Sequence, residues 1–158
     1  MSLTTEYLTR KGVPFETVPH ESAFTTIDEA RALGIEADEV VKTLLLDTPE
    51  GHVLAVVPGD RRLDMKLVEQ AVGARRAHLA SEAEIEREHP DFELGCLPPI
   101  GSLLGVATYV DPDVMRHEIV VFAAGSRTES VKMRTEDLFK GERVVVAPLT
   151  RHPSDEDA

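Results

Sequence analysis

Residues 42–58 read KTLLLDTPEGHVLAVVP, two apolar runs separated by TPEG. Pro and Gly punctuate the connection, and β-branched residues favour a pleated surface, so the stretch is expected to form a β-hairpin. Side chains alternate along a strand, which puts Lys42 on one face with Leu44 and Leu46, and Leu45 on the other. Apolar residues on both faces mark a central strand covered on either side.

Working outward, Leu3, Tyr7 and Leu8 lie on one side of a short helix that ends by Gly12. Val13, Phe15 and Thr17 then alternate as an early strand does. Thr26-Ile-Asp-Glu29 has capping-box spacing, with Gly34 as the helix stop. A second helix is expected in LDMKLVEQAVG, with Asp64 as N-cap and Gly73 near its end. A third starts at Ser81, where Ser-Glu-Ala-Glu84 again has capping-box spacing. Three strand-like segments follow, LLGVATYVD, EIVVFAAG and SVKMR. Thr135 is placed to cap a short helix, TEDLF, and RVVVAPL closes the chain as a last strand. Strands outnumber helices and arrive partly in consecutive runs. The expected class is α+β, a mixed, largely antiparallel sheet or barrel-like core with flanking helices. We find no internal repeat and no linker, so residues 1–149 read as one domain and 150–158 as a polar, disordered tail.

The 158 residues suffice to bury a core, and 42% of them are hydrophobic. No run approaches the length of a membrane span, and the N-terminus lacks the pattern of a signal peptide. Cys96 is the only cysteine, so no disulfide framework forms within the chain and the cytoplasm is the expected compartment. The net charge of -12 argues against broad binding to duplex DNA, which needs many Lys and Arg contacts to phosphates, but leaves contact with a strand end open.

The usual catalytic and nucleotide-binding motifs are missing: CxxC, HExxH, GxGxxG, a P-loop and GxSxG. The six histidines show no ligand-like spacing, so no metal is expected. Lys42 stands out because a lysine on an apolar face is costly to bury. It either snorkels to solvent from the strand end or sits at a functional pocket, where desolvation would lower its pKa. The loop ELGCLPPIGS, residues 93–102, also stands out. Glycine allows close backbone approach, proline stiffens the segment, and consecutive amides can form an oxyanion site. Useful donors would come from Gly95, Cys96 and Leu97, or from Ile100 onward, because Pro98 and Pro99 have none. A rigid helix-to-strand connection is the plainer reading. Cys96 has no base beside it in sequence and reads as a small apolar filler. Gly125-Ser126-Arg127 suits a turn at a strand end or the edge of a pocket.

Taken in order, these segments resemble the YbaK/prolyl-tRNA synthetase-associated editing-domain family. The resemblance runs from about His20 to Leu138. It is carried by H20-ESAF-T25, like the family's His-x-x-Ala-x-Thr, then V41-K42-T43-L44 and L63-D64-M65-K66. The loop G95-CLP-P99, extended to Gly101, follows, with Y109-V110-D111 and A124-G125-S126 after it. The resemblance implies a free-standing hydrolase that deacylates mischarged aminoacyl-tRNA in trans, with a pocket between Lys42 and the Gly95–Pro99 loop. Lys42 would act in deacylation or position the tRNA terminus, and the Gly95 backbone would hold the aminoacyl carbonyl. His20, Thr25, Cys96, Leu97, Pro98, Pro99, Gly101, Gly125, Ser126 and Arg127 would contact substrate. No metal or organic cofactor is implied. Water would attack the ester at the terminal adenosine, assisted by the substrate's own ribose hydroxyl. The expected partners are the acceptor end of aminoacyl-tRNA and a synthetase, with the chain a monomer or dimer. Some family members have histidine where this chain has Arg127, so amino-acid preference does not carry over. A non-catalytic tRNA- or synthetase-binding module that keeps the pocket is the alternative.

Overall fold

The computed structural model describes residues 2–151. The chain runs through α1 (Leu3–Lys11), β1 (Glu16–Pro19), α2 (Thr26–Leu33), β2 (Val41–Thr48), β3 (Gly51–Pro58) and β4 (Arg62–Leu63). It continues through α3 (Met65–Val72), β5 (His78–Leu79), α4 (Glu82–Glu88), α5 (Gly101–Leu104), β6 (Ala107–Val110) and α6 (Pro112–Met115). It closes with β7 (Ile119–Ser126), β8 (Glu129–Arg134), α7 (Thr135–Phe139), β9 (Val144–Val146) and β10 (Thr150–Arg151).

The hairpin at 42–58 organises the molecule. β2 and β3 pair antiparallel from Val41↔Pro58 to Thr48↔Gly51, and Pro49-Glu50 make the turn. They sit inside a five-stranded sheet of order β5-β2-β3-β6-β9, in which β3-β6 and β6-β9 are parallel. A second sheet, β1-β8-β7, is antiparallel throughout, and β10 pairs with β4. The result is the mixed, largely antiparallel α+β architecture expected from the sequence. The two larger sheets are not closed into one barrel; they meet at a single parallel bridge, Val40↔Val121.

Alternation along β2 sorts the core. Val41 and its sheet neighbours Val56 and Val110 meet Val120, Phe122, Val131 and Met133 of the second sheet, with Leu8 of α1 and Leu138 of α7. Leu45 and Leu54 pack on Leu97, Ala80 and Leu104. Leu44, Leu46 and Val57 face the other way, toward Val68 of α3 and Leu149. Phe122 has no exposed surface; burying such a side chain stabilises by about 1.5–3 kcal/mol.

Asp64 and Ser81 cap α3 and α4, and Gly34 and Gly73 end α2 and α3 in left-handed conformation. Four expectations need correction. The N-cap of α2 is Thr25, which accepts from the Asp28 amide, because the Thr26 hydroxyl is committed to the Gly59 carbonyl. Thr135 does not cap α7; its hydroxyl donates to the His117 carbonyl. LLG belongs to the end of α5, so the strand starts only at Ala107. The polar tail does not begin at residue 150, since Thr150 and Arg151 form β10; the rest of that segment, 152–158, lies outside the described residues. Among the described residues no helix is long and apolar enough to cross a membrane.

Candidate functional site

Three segments far apart in sequence converge on one cleft. The first is His20 to Glu29, where the chain leaves β1 and enters α2. The second is Gly95-Cys96, and the third is the β7–β8 turn with Ser126 and Arg127. Backbone bonds fix the first to the third: the His20 amide donates to Thr128 O at 2.9 Å, and the Ala23 amide to Arg127 O at 2.9 Å. The second is tied in by the Glu93 amide, which donates to Gly125 O at 2.9 Å. The β7–β8 register shifts between Ala123 and Ser126, a bulge that turns this strand end toward the cleft.

Gly95 is exposed and left-handed, with φ +80°, a conformation that costs other L-residues. The Cys96 amide closes the turn by donating to Glu93 O at 3.0 Å, so Cys96 is not the free donor its position suggested. Among the described residues, the amides of Gly95 and Leu97 have no acceptor. Gly95 lines the cleft, and its unpaired amide on a left-handed turn is a ready anion or oxyanion contact, whereas the Leu97 amide is buried away from the cleft.

Beyond Gly95 the loop turns inward. Cys96 through Gly101 are buried. The Leu97 side chain belongs to the core cluster of Leu45 and Leu54. Gly101 does not line the cleft: a Cβ there would lie 1.9 Å from Thr108 Oγ1 and 2.5 Å from Val106 O. Its place is close packing. Pro98 and Pro99 hold this descent rigid and do not line the cleft either. Burial raises the Cys96 thiol to about 11, helped by the nearby Glu93 and Glu29 carboxyls, which makes it a poor nucleophile.

Lys42 is half-buried and shares its face with Leu44 and Leu46, as alternation requires. It does not line the Gly95 cleft. Its Nζ donates to the Arg61 carbonyl at 2.8 Å. Burial, partly countered by Asp60, lowers its pKa. The turn that holds it is tied to the cleft through Thr26, whose hydroxyl donates to Gly59 O at 3.0 Å. The pocket implied between Lys42 and the loop is therefore not a single cavity here; the Gly59–Arg61 turn connects the two.

Thr25 lines the cleft, with its side-chain oxygen occupied as N-cap. The Arg127 guanidinium lies 4.8 Å from the centre of the Phe24 ring, and its amide donates to Glu93 at 3.1 Å. Phe24 is 68% exposed, an unusual position for a large apolar ring. Arg127 and Phe24 both line the cleft, whose volume is small, about 10 Å³, room for one water. Gly125 packs against the Phe92 ring.

Sequence reading missed two participants. Glu29 was legible only as a cap residue and Ser130 only as a strand residue. The structure buries both and links Ser130 to Glu29 and to His20 Nε2, the latter at 2.8 Å. Away from the cleft, Asp47, His52 and Glu84 place ligand-type atoms within 4.8 Å of one another. Both His52 ring nitrogens are already bonded, to Glu84 at 3.0 Å and to Glu88 at 2.8 Å, which makes this an ion-pair network.

The family model for the aminoacyl-tRNA editing domain matches residues 20–140, and the chain belongs to that family. The Escherichia coli K12 protein named multifunctional Ser/Thr-tRNA deacylase ProXp-y is 30% identical over 138 residues, 84% of this chain and 82% of that one. An Enterococcus faecalis protein named as a candidate Cys-tRNA(Pro)/Cys-tRNA(Cys) deacylase, EbsC, is 29% identical over 111 residues, 70% of this chain and 67% of that one. A crystal structure described as a candidate trans-editing enzyme for prolyl tRNA synthetase superposes with a TM-score of 0.84. It shares 24% identity and covers 95% of this chain and 96% of that one. It therefore speaks for the fold alone.

Proposed function

We propose that this protein is a trans-acting aminoacyl-tRNA deacylase whose reaction centre is the cleft at Gly95. The reading is supported by membership of the editing family and by relatives named as deacylases. The observation that carries it is the unpaired amide of Gly95, on a left-handed turn that lines the cleft.

The chemistry follows from that geometry. Water attacks the carbonyl carbon of the ester joining the amino acid to the terminal ribose. Negative charge grows on the carbonyl oxygen, where the Gly95 amide receives it; a donor of this kind contributes about 2.7–4 kcal/mol to acyl transfer. The C–O bond to the ribose breaks, the ribose oxygen takes up a proton, and free amino acid and tRNA leave. Lys42 holds its charge on the Gly59–Arg61 turn next to the first residue of α2, where it attracts the phosphate of the acceptor end. The negative net charge suits a protein that touches only that end. No step calls for a metal or organic cofactor.

The test is a panel of mischarged tRNAs given to the protein and to Lys42→Ala. Hydrolysis of at least one by the unmutated protein is expected, with a slower rate for the variant. Intact esters across the panel would overturn the function, whereas a full-rate Lys42→Ala would overturn only the role given to Lys42.

A further inference from the structure

Among the residues that line the cleft, Glu29 is the only carboxylic acid. It is 5% exposed, yet among the described residues no Lys or Arg pairs with it. Among the described residues its side chain has one hydrogen-bond partner, the hydroxyl of Ser130, itself fully buried, which donates to Glu29 Oε2. Behind Ser130 stands His20, with Nε2 at 2.8 Å from the Ser130 hydroxyl and Nδ1 donating to Glu21 O at 2.6 Å. Both ring nitrogens are therefore occupied within the protein, and the imidazole is not placed to take a proton from a ligand.

Burial raises the Glu29 pKa, while the Ser130 bond and the nearby His20 oppose it. A buried carboxyl of this kind is poised to ionise when a cation arrives in the cleft.

The substrate class supplies one. An aminoacyl ester carries a free α-ammonium group beside the reacting carbonyl, and an oxyanion held at Gly95 places that group within the same cleft. We propose that Glu29, held by Ser130 and backed by His20, is the subsite for the α-ammonium group of the aminoacyl moiety. The inference rests on the deacylase reading above and deepens it, since it explains how the cleft would tell an aminoacyl ester from an acyl ester without the amine. Glu29 acts in binding and positioning and takes no part in bond making. A purely structural role, pinning α2 to β8, would leave ligand preference untouched.

The experiment uses amide-linked probes that cannot be hydrolysed: 3′-aminoacylamino-3′-deoxyadenosines carrying alanine, serine or cysteine. Each is compared by calorimetry with its N-acetyl form and with a desamino form. The unmutated protein is expected to bind a free-amine probe about ten- to a hundredfold more tightly than its two counterparts, the usual worth of one charge-assisted hydrogen bond. Glu29→Gln should erase that preference while leaving N-acetyl affinity unchanged. Equal affinity for the three forms in the unmutated protein overturns the proposal, as does binding of none of them. That comparison needs no variant, so it stands even if Glu29→Gln does not fold. An equal loss by Glu29→Gln on every form also overturns it and returns Glu29 to a structural role. Failure of the deacylase reading shows elsewhere, as uncleaved mischarged tRNA, and leaves the amide-binding result readable.

Discussion

Replacing Gly95 by alanine separates a backbone site from a simple turn. An added Cβ has room, because its nearest heavy neighbour is Phe24 O at 3.8 Å. The cost to folding is then the left-handed backbone alone, φ +80°, about 1–2 kcal/mol for a residue with a Cβ. A domain of this size tolerates that loss. Relief of the strain rotates the peptide planes on either side, and with them the Gly95 amide and its neighbours. Losing one oxyanion donor lowers kcat by about 10²- to 10³-fold. The assay follows release of amino acid from a 3′-labelled mischarged tRNA, with a thermal melt of the same sample. Two controls bracket the result. Cys96→Ala removes a buried sulfur that offers no catalytic group and should keep kcat within about threefold, since buried trimming acts mainly on stability. Gly101→Ala should fail to fold, because its Cβ would overlap Thr108 Oγ1 at 1.9 Å. A folded Gly95→Ala protein with the unmutated kcat would refute the backbone mechanism.

Three further outcomes are expected. With its pKa at about 11 instead of 9, Cys96 holds roughly a hundredfold less thiolate at pH 8, so a disulfide reagent should label it promptly only after unfolding in urea; fast labelling of the native protein would contradict its burial. Asp111 accepts from the Leu149 and Thr150 amides, the Thr150 hydroxyl and the Asp113 amide. Asn cannot accept at both ends, so Asp111→Asn should lose about 1–3 kcal/mol in urea titration, and an unchanged midpoint would deny it that role. His52 is pulled down by burial, but Glu84, Glu88 and Asp47 outweigh this and hold its pKa above the ordinary 6.5. A raised folded pKa stabilises fully below 6.5, and that stabilisation is lost as pH rises through the folded value. Thermal melts from pH 6 to 9 should therefore show a decline that His52→Gln flattens, and parallel curves for the two proteins would remove His52 as its source.

The elements of the fold were legible where period and punctuation agreed. Apolar runs on both faces of residues 42–58 made β2 central, and Asp64 and Ser81 announced helix starts that the structure keeps. Local signals failed where a tertiary bond claimed the same atom. Thr26 has the spacing of a cap, but Gly59 takes its hydroxyl, so Thr25 caps instead. Thr135 loses its cap role to the His117 carbonyl in the same way. Strand order was beyond reach, because the parallel pairing of β3 with β6 joins segments about fifty residues apart and leaves no trace in either one.

The site divides along the same line. Gly95 and Gly101 are the same residue six positions apart in one loop, and only the family resemblance set their roles apart, with both expected at the substrate. One has open space at its missing Cβ and a left-handed backbone; the other has none of the space and an ordinary φ. The first is therefore free to serve a ligand, and the second is fixed by the packing of α5 on β6. The same test demotes Leu97 from a substrate contact to a core residue. It also promotes Glu29, whose sequence setting offered just a helix start, because a buried carboxyl without a cationic partner needs a reason that its own helix does not supply. Which groups the fold leaves unpaired can be read only once every other partner has been assigned.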